Sequence, residues 1–252
     1  MAVIRKAAFA GSFYPTEKER LKKMIDNFLK NANTEEIKTA KGFIVPHAGY
    51  IYSGQVAAYA YKIIKSLEAK RVILLGPSHF IPFIGSSIST ADYWETPLGK
   101  VKVEKVKTKF IDFPAAHTYE HSIEVQLPFL QTVLKDFTII PISIGDDYYK
   151  DIAKEIRDIM EGAIIIASSD LSHYHDYETA VKIDGKASKA ITELDFKNAE
   201  KMEACGKIGI LALMKIAKDN GWKVKTLFYA NSGDVTGEKA QVVGYGCYAF
   251  YE

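Results

Sequence analysis

The residues of this chain best suited to chemistry are its six histidines, and they are not scattered. They fall in four short segments: PHAGY (His47), GPSHF (His79), AHTYEHS (His117 and His121) and SSDLSHYH (His173 and His175). Each segment lies beside turn residues, and three directly follow apolar, strand-like runs at 42–46, 71–76 and 163–168. In an open α/β sheet, ligands bind in the crevice beyond the carboxyl ends of the strands. That rule places His47, His79 and His173 at one edge. Imidazoles gathered there suit metal ligation or proton transfer. Three of them with a carboxylate match the donor preferences of zinc, iron or copper.

Taken singly, the residues leave alternatives open. Gly49 lets the chain turn sharply under His47, yet a histidine in such a loop also serves as a plain hydrogen-bonding cap. His79 follows Gly76, Pro77 and Ser78, and a right-handed βαβ unit sets it on a strand end neighbouring that of His47. Either His173 or His175 can enter the pocket. His173 is nearer the strand end, and His175 reads more simply as a surface residue. His121 opens a helix beside Glu120 and Glu124. The glutamates need no more than the helix dipole to explain them, whereas an imidazolium is disfavoured there, so a neutral His121 would exchange a proton in the pocket. His117 is ambiguous. Asp234 follows a strand, but Asn231, Ser232, Gly233 and Asp234 also make an ordinary turn. Cys205, in ACGKIG at a helix start, is either a thiol of lowered pKa or, more commonly, a small buried residue. Cys247 lies in an apolar run and reads as core. The chain has no HExxH pair, P-loop, strand-borne GxGxxG or GxSxG elbow.

The elements that must position these residues are legible as a series. Amphipathic or apolar helical spacing occurs at 16–31, from Ser53 as a cap to Leu67, and at 121–134, 148–161, 178–193, 195–202 and 207–219. Continuous apolar strands fall at 42–46, 71–76, 137–144 and 163–168, with two more near 223–230 and 240–250 that can pair antiparallel. Residues 82–103 read as an extended, turn-rich excursion, and the spaced lysines at 100, 102, 105, 107 and 109 mark the solvated face of a strand and its exit. The alternation predicts one domain over 1–252: a three-layer α/β/α sandwich around a mostly parallel mixed sheet.

Bulk properties exclude several classes. The 252 residues carry a formal charge of +2, without the clustered basic excess of a nucleic-acid binder. Two distant cysteines, Cys205 and Cys247, form no disulfide framework. The opening MAVIRKAAFAGSFYP lacks a signal-peptide core, and no stretch is apolar enough to span a bilayer. A cytoplasmic protein without nucleic-acid or membrane partners is expected.

The segments AAFAGSFYP (7–15), VPHAGYIYSG (45–54), LLGPSHF (74–80), HSIEVQLPFL (121–130), SSDLSHY (168–174), ACGKIGI (204–210) and SGDVTGE (232–238) together resemble the Memo family, in order and nearly end to end. That family is similar in fold to class III extradiol dioxygenases, which are non-haem iron enzymes. The resemblance implies metal ligation by His47, His79 and Asp234, an acid/base role for His173 and a further pocket role for His121. It implies a divalent metal, iron first, with zinc or copper as alternatives. In that frame Tyr50, Ser78 and Asp170, from the same loops, are expected to touch substrate.

Three functions compete. The first is a metal-dependent oxidoreductase with a facial triad of two histidines and a carboxylate. The second is a zinc hydrolase. The third is a non-catalytic module that binds a phosphopeptide or other acidic ligand at helix N-termini, with Phe13, Tyr14, Tyr50, Tyr52 and Trp94 as cleft or core aromatics. The partner is an unidentified small molecule or peptide, and the apolar stretch 80–98 offers a surface for a homo-oligomer.

Overall fold

A computed structural model describes residues 2–252. Its strands are β1 (Ile4–Arg5), β2 (Ala40–Val45), β3 (Arg71–Pro77), β4 (Ser86–Ile88), β5 (Tyr93–Thr96), β6 (Gly99–Val103), β7 (Thr138–Ile144), β8 (Ala163–Ser168), β9 (His173–His175), β10 (Lys223–Asn231) and β11 (Val242–Tyr251). Its helices are α1 (Lys18–Asn31), α2 (Tyr50–Leu67), α3 (Ala115–Thr118), α4 (His121–Glu124), α5 (Leu127–Val133), α6 (Tyr149–Arg157), α7 (Tyr177–Thr192), α8 (Phe196–Ala199), α9 (Lys207–Asn220) and α10 (Ser232–Thr236).

The strands form one mixed sheet in the order β1-β5-β6-β7-β3-β8-β2-β11-β10, with β4 joined to β7 and β9 to β11. The block β6-β7-β3-β8-β2 is parallel throughout. The last two strands pair antiparallel with each other, and β11 pairs antiparallel with β2. Side chains alternate across a strand, and the two faces separate accordingly. Phe43, Val45, Ile164 and Ile166 enter a core with α1, α2 and α5. Ile44, Ile165, Tyr248 and Phe250 enter a second core with α6, α7 and α9. Burying one such side chain is worth about 2 kcal/mol, so the parallel strands, covered on both faces, are the rigid frame on which the loops stand. Among the described residues, no helix is long and apolar enough to cross a membrane.

Two elements depart from expectation, and a third follows it in finer detail. Helix α2 starts at Tyr50, one turn before Ser53, because the Tyr50 N–H is taken by Phe13 O at 2.8 Å. The Ser53 hydroxyl bonds back to Ala48 O instead of capping the helix. The helix expected over 121–134 is two pieces, since Pro128 sits at the start of α5 and has no N–H to continue the preceding turn. The 82–103 excursion contains β4, β5 and β6, where Lys100 and Lys102 face solvent and Val101 and Val103 the core.

Candidate metal centre

The parallel strands deliver their loops to one edge. His47 stands two residues beyond β2, His79 two beyond β3, and Asp170 two beyond β8. Cys205 arrives just before α9. One ligand atom each from His47, His79 and Cys205 lie within 4.8 Å of one another. Cys205 Sγ is 3.1 Å from His47 Nε2, and the His47 and His79 rings lie edge to face with centroids 5.2 Å apart. His121 completes the cluster, stacked on His79 at 4.5 Å.

Hydrogen bonding fixes which nitrogen each imidazole presents. The Ser168 hydroxyl has one proton, and it goes to Ser122 O at 2.6 Å. Ser168 Oγ therefore accepts from Gln126 Nε2 at 2.7 Å and from His47 Nδ1 at 2.9 Å. The Gln126 amide cannot be reversed, because its Nε2 also donates to Pro46 O and its Oε1 accepts from the Tyr61 hydroxyl. His47 thus carries its proton on Nδ1, and its Nε2 lone pair points at Cys205. His79 Nδ1 lies 2.9 Å from a Glu120 carboxylate oxygen. The same carboxylate accepts the backbone N–H groups of His79 and Ser122. Burial opposes charge on Glu120, but these bonds with His79 outweigh it and hold its pKa at about 2. His79 Nδ1 donates to this carboxylate, so Nε2 is the nitrogen turned away from it. A second group outside the ligands that fixes tautomer and ring direction is the usual support for metal-binding histidines.

The surroundings favour neutral imidazoles at His47 and His121. Burial lowers His47 to about 3, and the positive form of His79 opposes protonation further. Burial, with His47 and His79 as neighbours, does the same to His121. Burial and the nearby Asp170 push the Cys205 thiol up to about 12. The Asp170 backbone N–H nevertheless donates to Cys205 Sγ at 3.2 Å, a contact that favours thiolate once a cation is beside it. Helix α4 reaches the end of β3 across Gly76, where a Cβ would stand 2.5 Å from Ser122 Oγ. That close approach brings Glu120 onto His79.

The expected site residues divide. His47, His79 and His121 come together, and His173 is near enough for its charge to lower His47. His173 Nδ1 is held by Leu171 O at 2.8 Å, leaving its other nitrogen free. His175 pairs with Glu203 at 2.7 Å, away from the cluster. Asp234 is not brought in. Its exposed carboxylate closes a capping box at α10, accepting from Asn231 N at 2.8 Å and from the Tyr177 hydroxyl. Cys205, which the sequence makes more readily a buried filler, stands beside the two imidazoles as the third group that could hold a metal. Tyr50 is core rather than substrate contact: it is buried against Tyr14 and Phe129, with its hydroxyl on Val125 O. Asp170 is buried and takes the His47 backbone N–H at 2.7 Å, so it shapes the loop from below. Burial raises its pKa despite that bond. Ser78 is half-buried and bonds to Ile81 O. His117 is core, bonded to Ser87 under Trp94. Of the aromatics, Trp94 and Tyr14 are buried, whereas Phe13 packs on His121 at 4.5 Å.

An α/β sandwich that assembles two oriented imidazoles and a thiol at the carboxyl edge of parallel strands defines a protein with a candidate metal centre. The family model for Memo-like proteins matches residues 5–249. A MEMO1 family protein of Sulfolobus acidocaldarius is 38% identical over 284 aligned residues, covering 96% of this chain and 98% of that protein. One of Aquifex aeolicus is 39% identical over 262 residues, covering 96% and 97%. One of Aeropyrum pernix is 40% identical over 275 residues, covering 96% and 98%. The chain belongs to the Memo-like protein family.

Proposed function

We propose that this protein binds a redox-capable transition metal through His47, His79 and Cys205 and uses it as an oxidoreductase on a small molecule. The observation that carries the reading is that His47, held through Nδ1 by Ser168, and His79, held through Nδ1 by Glu120, each bring a ligand atom within 4.8 Å of the Cys205 sulfur. Two imidazoles and a thiolate suit iron, copper or zinc. Iron stands first, because the family resemblance points to non-haem iron chemistry. When bound, iron or copper supplies one-electron chemistry that the side chains lack.

The chain's own residues supply the rest. Glu120 and Ser168 hold the imidazoles in register. Phe9, Phe13 and Phe80 pack around His121, with ring centroids 5.3, 4.5 and 5.9 Å away, and keep water from that side. His173, half-buried and with one free nitrogen, carries protons between the pocket and solvent. Two free cysteines agree with a reducing, cytoplasmic setting.

The same donors also suit catalytic zinc, which makes a zinc hydrolase the second reading. A module for phosphorylated peptides has less support, because the charged groups against the imidazoles are the acids Glu120 and Asp170.

Untagged protein, purified without chelator and reconstituted anaerobically with ferrous iron, tests the proposal. One metal per chain is expected, lost in His47→Ala and Cys205→Ala and kept in Asp234→Ala. Retention in Cys205→Ala with loss in Asp234→Ala would overturn the donor set. Zinc-supported turnover that needs no oxidant would decide for the hydrolase.

A further inference from the structure

Cys205 stands between two places. Its sulfur faces His47. The residue also lines a cleft of about 290 Å³ between the loop after β3, the end of β7 and the first turn of α9. Its wall is mostly aliphatic and aromatic, with Ile81, Pro82 and Phe83 from the loop facing Ile144 and Ile208. The loop is held in shape across the cleft mouth. Gly85 N and Asp146 O are bonded at 2.8 Å, Asp146 N and Phe83 O at 2.8 Å, and the Ser78 hydroxyl and Ile81 O at 2.7 Å.

We propose that this cleft binds a compact, neutral, largely apolar organic molecule, which packs against Cys205 Sγ. The size sets one limit. An apolar cavity of about 150 Å³ admits benzene, and pockets for drug-sized ligands start at about 300 Å³. The occupant is therefore a single ring or short branched chain with one substituent. Charge sets the other limit. Asp146 is the charged residue in the lining, exposed at the rim, and no lysine or arginine lines the cleft among the described residues. An anion would meet repulsion without a partner. Glycines make the space: at Gly209, a Cβ would already touch Ile144 at 3.3 Å and Leu75 at 3.5 Å, so a larger side chain there intrudes on the floor.

The inference rests on the metal reading only for what the molecule would be doing beside the sulfur. The cleft itself can be tested without metal. Protein carrying ¹³C-labelled isoleucine methyls is titrated with benzyl alcohol, and with glycerol as a polar control. Ile81, Ile144 and Ile208 should shift saturably with benzyl alcohol and not with glycerol, while the core methyls of Ile25 and Ile139 stay in place. Gly209→Val should weaken that binding about tenfold or more, the usual effect of a misplaced methyl group in an apolar pocket. Ile81→Trp, on the loop rather than in a helix, repeats the test should Gly209→Val fail to fold. Unsaturable or uniform shifts, or binding indifferent to both variants, would overturn the proposal. In cobalt-loaded protein, benzyl alcohol should perturb the thiolate-to-cobalt absorption band, and an unchanged band alongside saturable methyl shifts would overturn the contact with Cys205. Failure to bind cobalt would count against the metal centre alone, and the methyl titration would still decide the cleft.

Discussion

Glu120 and Glu124 bracket the same four-residue helix, are both buried, and each accept two backbone N–H groups, yet they serve different ends. Glu120 takes the N–H groups of His79 and Ser122 and faces an imidazole. Glu124 takes those of Ala8 and Phe9, pairs with Arg5 and accepts the Tyr14 hydroxyl. Arg5 in turn donates to His117 O and Glu120 O at 2.9 and 2.8 Å and lies 4.6 Å above the Trp94 ring. One glutamate orients a candidate ligand, and the other ties the N-terminal segment to the body. Residue type and burial do not separate the two roles; the partner does, an imidazole ring in one case and a permanent cation in the other.

Substitutions that break this contrast rank by expected size. Glu124→Gln leaves Arg5 buried without its counter-charge and should cost about 3–5 kcal/mol of stability, read by denaturant unfolding of metal-free protein. Glu120→Gln keeps an acceptor near His79 but removes the charge. It should cost only about 1–2 kcal/mol, while weakening metal binding about 10–100-fold. Equal stability losses with equal metal affinities would dissolve the distinction between the two residues.

Acid should act mainly on the histidine side. Folding holds His47 and His121 near 3 and His117 near 4, below the ordinary value of 6.5. The unfolded chain therefore binds more protons, and stability falls as pH drops from about 6.5 towards 4. Glu120, depressed to about 2, adds stability above its unfolded value of about 4.5 that disappears on further acidification. Asp170, raised by burial, acts in the opposite sense and offsets part of the histidine loss. Thermal unfolding of metal-free protein between pH 7 and 4 should show a falling midpoint, with a shallower fall in His121→Phe. A flat profile would mean that the imidazoles are not desolvated as described. The smallest effect belongs to Asp234→Ala, which should lose half a capping box, within about 1 kcal/mol, and leave metal affinity unchanged.

Much of this architecture is legible in the amino-acid sequence. The runs at 42–46, 71–76 and 163–168 are apolar through their middle positions, with Arg71 and Ser168 only at the ends, because strands covered on both faces have no polar side to show. Their ends announced His47 and His79. Cys205 and Glu120 were less legible for a physical reason. Cys205 lies 158 residues from His47, and nothing local in ACGKIG distinguishes a ligand from a filler. Glu120 does cap α4, accepting from Ser122 N, so the dipole explanation is correct as far as it goes. Its bond to His79 exists only because Gly76 lets α4 approach β3, a tertiary contact without a sequence period. Asp234 shows the converse. The turn reading of Asn231 to Asp234 described its surroundings, and the family analogy drew it towards the cluster. The apolar patterning of 80–98 likewise gave no sign that Ile81 and Phe83 would wall a cleft that Cys205 also lines.

The bonds from Tyr61 through Gln126 to Ser168 run one way. Pro46 O and Ser122 O can only receive, so each group upstream has its hydrogen already committed. A tyrosine with no exposed surface, in the interior of α2, thereby takes part in deciding which electron pair His47 offers to the outside. In this protein the border between scaffold and reagent is drawn by proton commitment rather than by distance, and a silent-looking Tyr61→Phe exchange in the interior falls on the chemical side of it.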